Sequence, residues 1–354
     1  MKTLMVMAGG TGGHVFPALA VAEYLRDKGV RIVWLGTRAG IEARLVPERE
    51  FEIRWMKISG LRGKGLCRLL SMPFLLVRAL MQGLRIVWRE KPDALLGMGG
   101  FASGPGAISG WLLRKPLLIH EANASAGFTN RLLAPLARRV MTGFPDTEGL
   151  PGKAEWCGNP VRPEMSAIEA KANGENGFNI LVFGGSQGAR VFNTRLPGVL
   201  GPLSASAGFH VRHQCGRGNT NTVEDAYGEF QGNVEVEEFI DDMTAAYAWA
   251  DLVVCRAGAM TVAELCCAGR AAILVPFPHA VGDHQSANAR FIADQDAGIL
   301  LAESQLEEQA LAELIQNLGA DRARLRSMAA RARKLARADA TQVVGDACME
   351  VMHA

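Results

Sequence analysis

The sequence predicts an α/β protein built from two doubly wound parallel-sheet domains. Three observations carry that expectation: short apolar runs alternate with helical patterns, the alternation restarts near mid-chain, and both starts end in a glycine-rich turn. The length of 354 residues agrees, since one hydrophobic core rarely serves so long a chain.

The first apolar run, TLMVM, stops at a glycine loop and reads as a strand, with helical spacing following at 17–28. The pairing repeats as RIVWLG with 41–47, EIRWMKI with a long helix, DALLGM with 105–113 and PLLIH with 126–138, before the strand RVMTGF. This is the signature of a parallel sheet covered on both faces. After the polar stretch AKANGENG (170–177) the order begins again with NILVFGG. Setting LMVMAGGTGGHVF (4–16) over ILVFGGSQGARVF (180–192) aligns Val6 with Val182, Gly9 with Gly185, Gly12 with Gly188 and Phe16 with Phe192. The join is expected near GNPVR (158–162), giving domains at 1–160 and 161–340 and a closing helix in 341–354.

Composition excludes several classes. With 49% hydrophobic and 21% charged residues, the chain reads as globular and soluble. Its longest apolar run, LLSMPFLLV, ends at Arg78, far short of the ~18 residues that span a bilayer. MKTLMVMAGG lacks a small-residue cleavage site and reads as a strand rather than a signal peptide. The seven cysteines show no CxxC spacing, so a reducing compartment is expected, with neither disulfides nor a zinc site. Residues 1–160 hold 22 Lys and Arg against 12 Asp and Glu, whereas 161–354 hold 16 against 24. A nucleic-acid role is not expected from this basic half, because no aromatic-interleaved RNP motif accompanies it and aromatics are only 6%.

Glycine-rich turns between strand and helix occur three times, as AGGTGGH (8–14), GMGGFASGPG (97–106) and FGGSQGAR (183–190). The dinucleotide fingerprint fails in the first, because Val15 stands where the third glycine should fall and WLGT lacks the acidic residue for a ribose. A P-loop is absent as well. Glycines at a strand end nevertheless let backbone N–H groups reach a ligand, and a helix start favours negative charge. A cleft between the domains holding phosphorylated molecules is therefore expected. In CRAGAMTVAELCCAGR (255–270) a helix is expected near Thr261, with Glu264 one turn in. That carboxylate can accept two ribose hydroxyls, although T-x-x-E also reads as a capping box.

The segments GGTGGHVFPALAVA, GMGGFASGP, HEANA, GNPVR, GGSQGAR, EFIDDM, CRAGAMTVAE and PHAVGDHQSANA stand in an order that resembles the MurG family. These are GT-B glycosyltransferases that transfer N-acetylglucosamine (GlcNAc) from UDP-GlcNAc to an undecaprenyl-linked muramyl-pentapeptide in peptidoglycan synthesis. The resemblance implies a carboxyl-terminal domain for the nucleotide sugar, an amino-terminal one for the lipid acceptor, and inverting transfer to the C4 hydroxyl without metal or other cofactor. Carried over by position, main-chain groups of Ile240 would read uracil and Glu264 the ribose. Within the same segment Ala259, Met260, Thr261, Val262 and Ala263 would line the donor, with Ser186, Met260, Thr261 and Arg162 around the diphosphate. Gln285 and Asn123 would hold GlcNAc hydroxyls, Thr11, Gly12, Gly13 and His14 would face the site from the acceptor domain, and Gly99, Gly100 and Ser103 would take the acceptor pyrophosphate. Two positions depart from the family: Ala122 where HEQN is common, and Ala257 where CRSG is usual.

His14 is the expected base, since imidazole exchanges protons near neutral pH. Its alternative is a histidine that donates to a phosphate or caps its helix. Asp294-Gln295-Asp296 matches a DxD metal motif by letter, but it falls in a turn before AGILL, away from the ligand edge, so no metal is expected. The stretch 61–90 mixes Arg62, Lys64, Arg68, Arg78, Arg85 and Arg89 with large apolar residues, most of them expected in the core. Such a stretch can lie on an anionic membrane surface. Peripheral binding at the cytoplasmic side of the inner membrane is expected. Alternatives are another GT-B enzyme using UDP-GlcNAc, such as an epimerase or a glycolipid transferase, or a non-catalytic sugar-nucleotide module. HEANA and GGFASGP argue against the first, and His14 has no task in the second.

Overall fold

The structure, a computed structural model, describes residues 1–58, 66–171, 177–185, 187–205 and 208–354, with the backbone alone at 66–73, 231 and 281. The chain forms two compact units, Met1–Val161 with Ala338–Ala354, and Arg162–Arg337.

The first unit runs β1 (Thr3–Ala8), α1 (Gly12–Asp27), β2 (Arg31–Gly36), α2 (Glu42–Glu48), β3 (Glu52–Trp55), α3 (Leu66–Glu90), β4 (Ala94–Gly99), α4 (Ser103–Leu112), β5 (Leu117–Glu121), α5 (Phe128–Leu133), β6 (Arg139–Thr142) and β7 (Glu155–Trp156). Among the described residues its sheet is seven-stranded, in the order β3-β2-β1-β4-β5-β6-β7. All pairings are parallel. Every residue of β1 and of β4 is buried, as a strand covered on both faces requires. Alternate residues feed two cores: Leu4, Val6 and Ala8 pack with α1, while Met5 and Met7 pack with Ala79, Val87 and Ala107 of α3 and α4.

Arg162 opens the second unit, which runs α6 (Pro163–Ser166), β8 (Phe178–Phe183), α7 (Arg190–Ala205), β9 (Phe209–Gln214), α8 (Thr220–Tyr227), β10 (Val234–Glu237), α9 (Met243–Trp249), β11 (Leu252–Cys255), α10 (Ala259–Ala268), β12 (Ala271–Leu274), α11 (His284–Ala293), β13 (Ile299–Leu300), α12 (Glu308–Ala320) and α13 (Arg322–Lys334). Its strands lie in the order β10-β9-β8-β11-β12-β13, all parallel. The chain then returns to the first unit as α14 (Ala340–His353). There Gly345 lets α14 close on the Tyr24 ring of α1, and the Tyr24 hydroxyl donates to Asp346 at 2.7 Å.

Each sheet reverses its winding once, between β1 and β4 in the first unit and between β8 and β11 in the second. At such a reversal the loops leaving the two central strands splay apart, and the strand carboxyl ends become a place for a ligand.

Local expectations change at three places. Helix α1 starts at Gly12 rather than near 17, so Gly12, Gly13 and His14 form its first turn. The helix expected over 126–138 is only Phe128–Leu133 followed by one tighter turn at Ala134–Leu136, where Pro135 has no N–H to donate. The largest change concerns α3. Phe74, Val77, Met81 and Trp88 stand exposed at helical spacing, three of them 62–70% exposed, while Ala79 and Val87 are its buried side. Apolar residues expected in the core thus form an outward stripe. Arg62 and Lys64 lie outside the described residues, as does the side chain of Arg68.

Candidate active site

In the first unit the β1–α1 and β4–α4 loops meet at the winding reversal. Gly99 and Gly100 have φ of +108° and +93°, which only glycine adopts without strain. A Cβ on Gly99 would stand 2.6 Å from the His14 ring, and one on Gly100 would strike the Gly9 backbone. The sequence therefore permits a contact that any side chain would block.

The His14 ring is half-buried, and its Nδ1 lies 3.3 Å from the Gly9 carbonyl oxygen. A carbonyl only accepts, so this contact assigns the proton to Nδ1 and leaves Nε2 with its lone pair in the neutral ring. Thr11 precedes the helix with extended backbone and no side-chain cap bond, and the N–H groups of Gly12 and Gly13 are among those a helix start leaves unpaired. Ser103 is different. It is fully buried, and its Oγ lies 2.8 Å and 2.7 Å from the carbonyls of Met7 and Gly99. Its hydroxyl is turned into the fold, and what this loop offers a ligand is backbone.

Two carboxylates that sequence reasoning missed hold loops at this edge of the sheet, Glu42 the β1–α1 and β2–α2 loops and Glu121 the β5–α5 loop. Glu42, fully buried, accepts from the Gly10 N–H (2.8 Å), the Thr37 N–H (3.0 Å) and the Thr37 hydroxyl (2.8 Å). Glu121 accepts from the N–H and side-chain amide of Asn123 with one oxygen, and from the Gly127 N–H and Asn130 amide with the other. Asn123 therefore sits on the β5–α5 loop with its amide N–H turned to Glu121. The backbone carbonyl of Ala122 accepts from Asn159 at 2.9 Å. No periodicity marks Glu42; the only hint is the glycines at 9, 36 and 40, each of which leaves room for its side chain.

In the second unit α10 begins at Ala259 with Gly258 as its cap, two residues earlier than expected. Thr261 is thus inside the first turn, and the capping-box reading of T-x-x-E fails. Ala259 and Val262 are buried, whereas Met260, Thr261, Ala263 and Glu264 are partly exposed. The first-turn N–H groups have no side-chain cap bond and present partial positive charge at the sheet's carboxyl edge. Glu264 accepts from the Tyr247 hydroxyl at 3.1 Å. Burial pushes its carboxyl above the usual range, against the pull of the Arg162 charge and the Tyr247 bond.

Ile240 follows β10 at the same edge. Its side chain is buried, and its N–H and C=O have no partner among the described residues. Gln285, in the first turn of α11, accepts the Phe277 N–H at 2.8 Å. The turn carrying Ser186 is closed on the β9–α8 loop by Gly188 (φ +71°), where a Cβ would strike the Cys215 carbonyl; Ser186 itself lies outside the described residues. Ala257 is fully buried and its carbonyl accepts from Asn288. Asp294 and Asp296 belong to the turn entering β13, at the opposite edge of the sheet, where Asp296 pairs with Arg331 at 3.2 Å.

Family models match both units: the glycosyltransferase family 28 N-terminal domain over residues 4–142 and the C-terminal domain over 179–344. The chain belongs to glycosyltransferase family 28. Within it, the chain is 53% identical over 352 residues to a UDP-N-acetylglucosamine--N-acetylmuramyl-(pentapeptide) pyrophosphoryl-undecaprenol N-acetylglucosamine transferase of Nitrosococcus oceani, with 98% of each chain covered. A transferase of the same name from Alkalilimnicola ehrlichii is 50% identical, again over 98% of each. The crystal structure of Acinetobacter baumannii MurG superposes with a TM-score of 0.83 at 39% identity, covering 99% of this chain and 100% of that one. A UDP-GlcNAc 2-epimerase from Neisseria meningitidis shares the two-domain fold, with a TM-score of 0.70 at 14% identity. These likenesses make the family 28 chain a GT-B glycosyltransferase.

Proposed function

We propose that this chain transfers GlcNAc from UDP-GlcNAc to the C4 hydroxyl of the muramyl sugar of undecaprenyl-pyrophosphoryl-MurNAc-pentapeptide, inverting the anomeric centre. Its full-length likeness to transferases of that name supports the substrates. The orientation of His14 carries the mechanism, because Nε2 is left as an acceptor at a helix start beside a glycine loop.

In this reading Nε2 of His14 takes the proton of the acceptor hydroxyl as its oxygen attacks C1 of GlcNAc. The bond from C1 to the β-phosphate oxygen breaks, and UDP leaves with the electron pair. Open N–H groups at the start of α10, near Met260 and Thr261, with Ser186 and the Arg162 guanidinium, stabilise the departing charge. The Glu264 carboxylate accepts ribose hydroxyls, the main chain of Ile240 pairs with the uracil edge, and Gln285 and Asn123 take hydroxyls of the sugar. Backbone at Gly99 and Gly100 and the start of α4 receive the acceptor pyrophosphate, with Ser103 serving through its helix rather than its hydroxyl. No metal takes part, so activity persists in chelator.

The acceptor is lipid-linked, and the first unit offers a surface suited to a bilayer. Phe74, Val77, Met81 and Trp88 of α3, Trp111 and Leu112 of α4, and Phe128 and Leu132 of α5 are exposed, on a unit whose exposed cations include Arg78, Arg85 and Arg89. Among the described residues no helix is long and apolar enough to cross a membrane. This surface supports peripheral binding to the cytoplasmic leaflet of the inner membrane. Vesicles of anionic lipid will retain the protein at low salt and release it as salt screens the contact. The decisive assay follows UDP release and GlcNAc incorporation into the lipid acceptor. Transfer in the presence of chelator is expected; UDP release that does not depend on acceptor overturns the reading.

A further inference from the structure

Glu264 is a constrained carboxylate. Its Oε2 accepts the Tyr247 hydroxyl at 3.1 Å, while Oε1 has no partner among the described residues. Tyr247 is itself fixed on three sides. It is fully buried; its ring meets Phe183 edge-on at a centroid distance of 6.0 Å; and its carbonyl accepts from Arg270 Nε at 2.6 Å. Phe183 is the last residue of β8, immediately before the glycine turn. Arg270 is 4% exposed, and its remaining nitrogens donate to the carbonyls of Glu169, Ala248, Ala268 and Gly269. The phenol is therefore a donor that cannot swing away.

A carboxylate torsion is broad and nearly two-fold when nothing holds it, and immobilising such a group on binding costs affinity. Burial also disfavours the charged form of Glu264, whereas a hydroxyl donating to it favours that form. One contact thus acts on both orientation and charge. We infer that Tyr247 is a positioning residue for the donor ribose: it holds Oε2 of Glu264 so that the carboxyl group presents Oε1 to the hydroxyls of a uridine diphosphate sugar. This deepens the proposed function and rests on Glu264 as the ribose acceptor. Tyr247 touches no reacting atom in this scheme, so its effect falls on donor binding and not on the chemical step.

The test is steady-state kinetics of the full-length enzyme with lipid acceptor, comparing UDP-GlcNAc with its 2′-deoxy and 3′-deoxyribose analogues. In Tyr247→Phe the ring volume is kept and the melting temperature should stay within a few degrees of wild type. KM for UDP-GlcNAc should rise roughly three- to tenfold, the range for the loss of a typical hydrogen bond, with kcat changed less than about twofold. For a deoxy donor lacking the hydroxyl that Oε1 receives, the KM penalty should vanish. A penalty equal for all three donors, or one that falls on kcat, makes Tyr247 merely structural and overturns the inference. Glu264→Ala separates the two levels. Loss of ribose discrimination in that variant upholds the acceptor role; if discrimination survives, that role falls and takes the inference with it.

Discussion

At the carboxyl edge of the first unit's sheet, side chains brace the loops: Glu42 gathers Gly10 and Thr37, and Glu121 gathers Asn123, Gly127 and Asn130. The second unit's loops brace one another through the main chain, with Gly188 against Cys215 and Gly216 against Gln187, and the carboxylate at that edge, Glu264, remains partly exposed. The same strand–turn–helix plan thus yields a histidine in the helix turn that follows a carboxylate-held loop in one unit, and a row of open amides beside a carboxylate in the other. Buried acids serve as scaffolding in the first unit; in the second the acid accepts a single hydroxyl, that of Tyr247.

The sharpest way to break this contrast is to remove the proton acceptor. His14→Ala should lower kcat by about 10² to 10⁴, the usual value of general base help, while KM for UDP-GlcNAc stays near wild type. Equal loss in both would return His14 to the role of a phosphate donor. Next in size is Glu42→Ala, which strands three donors, the two of Thr37 buried and that of Gly10 half-buried, and should cost about 2–4 kcal/mol. Hydrogen exchange at β1 should accelerate while exchange at β8 stays protected; unchanged exchange at β1 would deny Glu42 its scaffolding role.

Acid should separate the units as well. His213 is fully buried against the Tyr227 hydroxyl, and burial lowers its pKa to about 4. The unfolded ring binds a proton near pH 6.5, so between about 6.5 and 4 the unfolded state holds the extra proton and stability falls with pH, by about 3 kcal/mol over the window. Burial lowers His120 in the first unit too, but the Gly158 carbonyl and the Glu121 charge oppose that shift. The second unit should therefore show the steeper acid dependence, and His213→Gln should flatten it, as read by denaturant melts between pH 7 and 4. The smallest effect is expected from Gly188→Ala: positive φ and the Cys215 carbonyl should cost about 1–3 kcal/mol and raise the donor KM, with acceptor KM unmoved.

Much of this was legible in the residues. Apolar runs of five or six with glycine at their ends fixed the strands, and the likeness of 4–16 to 180–192 marked the two sheet centres. Both segments begin on the first strand of a unit, β1 and β8. What escaped has physical causes. Gly12 and Gly13 read as loop because glycine disfavours helix interiors, yet at a helix start that cost is small and the open amides are useful. Glu42 reads as one more charge on an amphipathic segment, since burial of an acid is set by donors 5 and 32 residues away. The stripe of Phe74, Val77, Met81 and Trp88 has the spacing of a core face, and spacing alone cannot say whether protein or lipid covers it.

The Tyr24 hydroxyl meets a partner 322 residues further along the chain, with the whole of the second unit between them. During translation, β1 and α1 must leave the ribosome with one wall of their core missing, and α14 supplies that wall only after the intervening unit has emerged and can already have folded. The nascent amino-terminal half is thus obliged to wait with the apolar surface that Val344, Ala347, Cys348 and Val351 will cover still open.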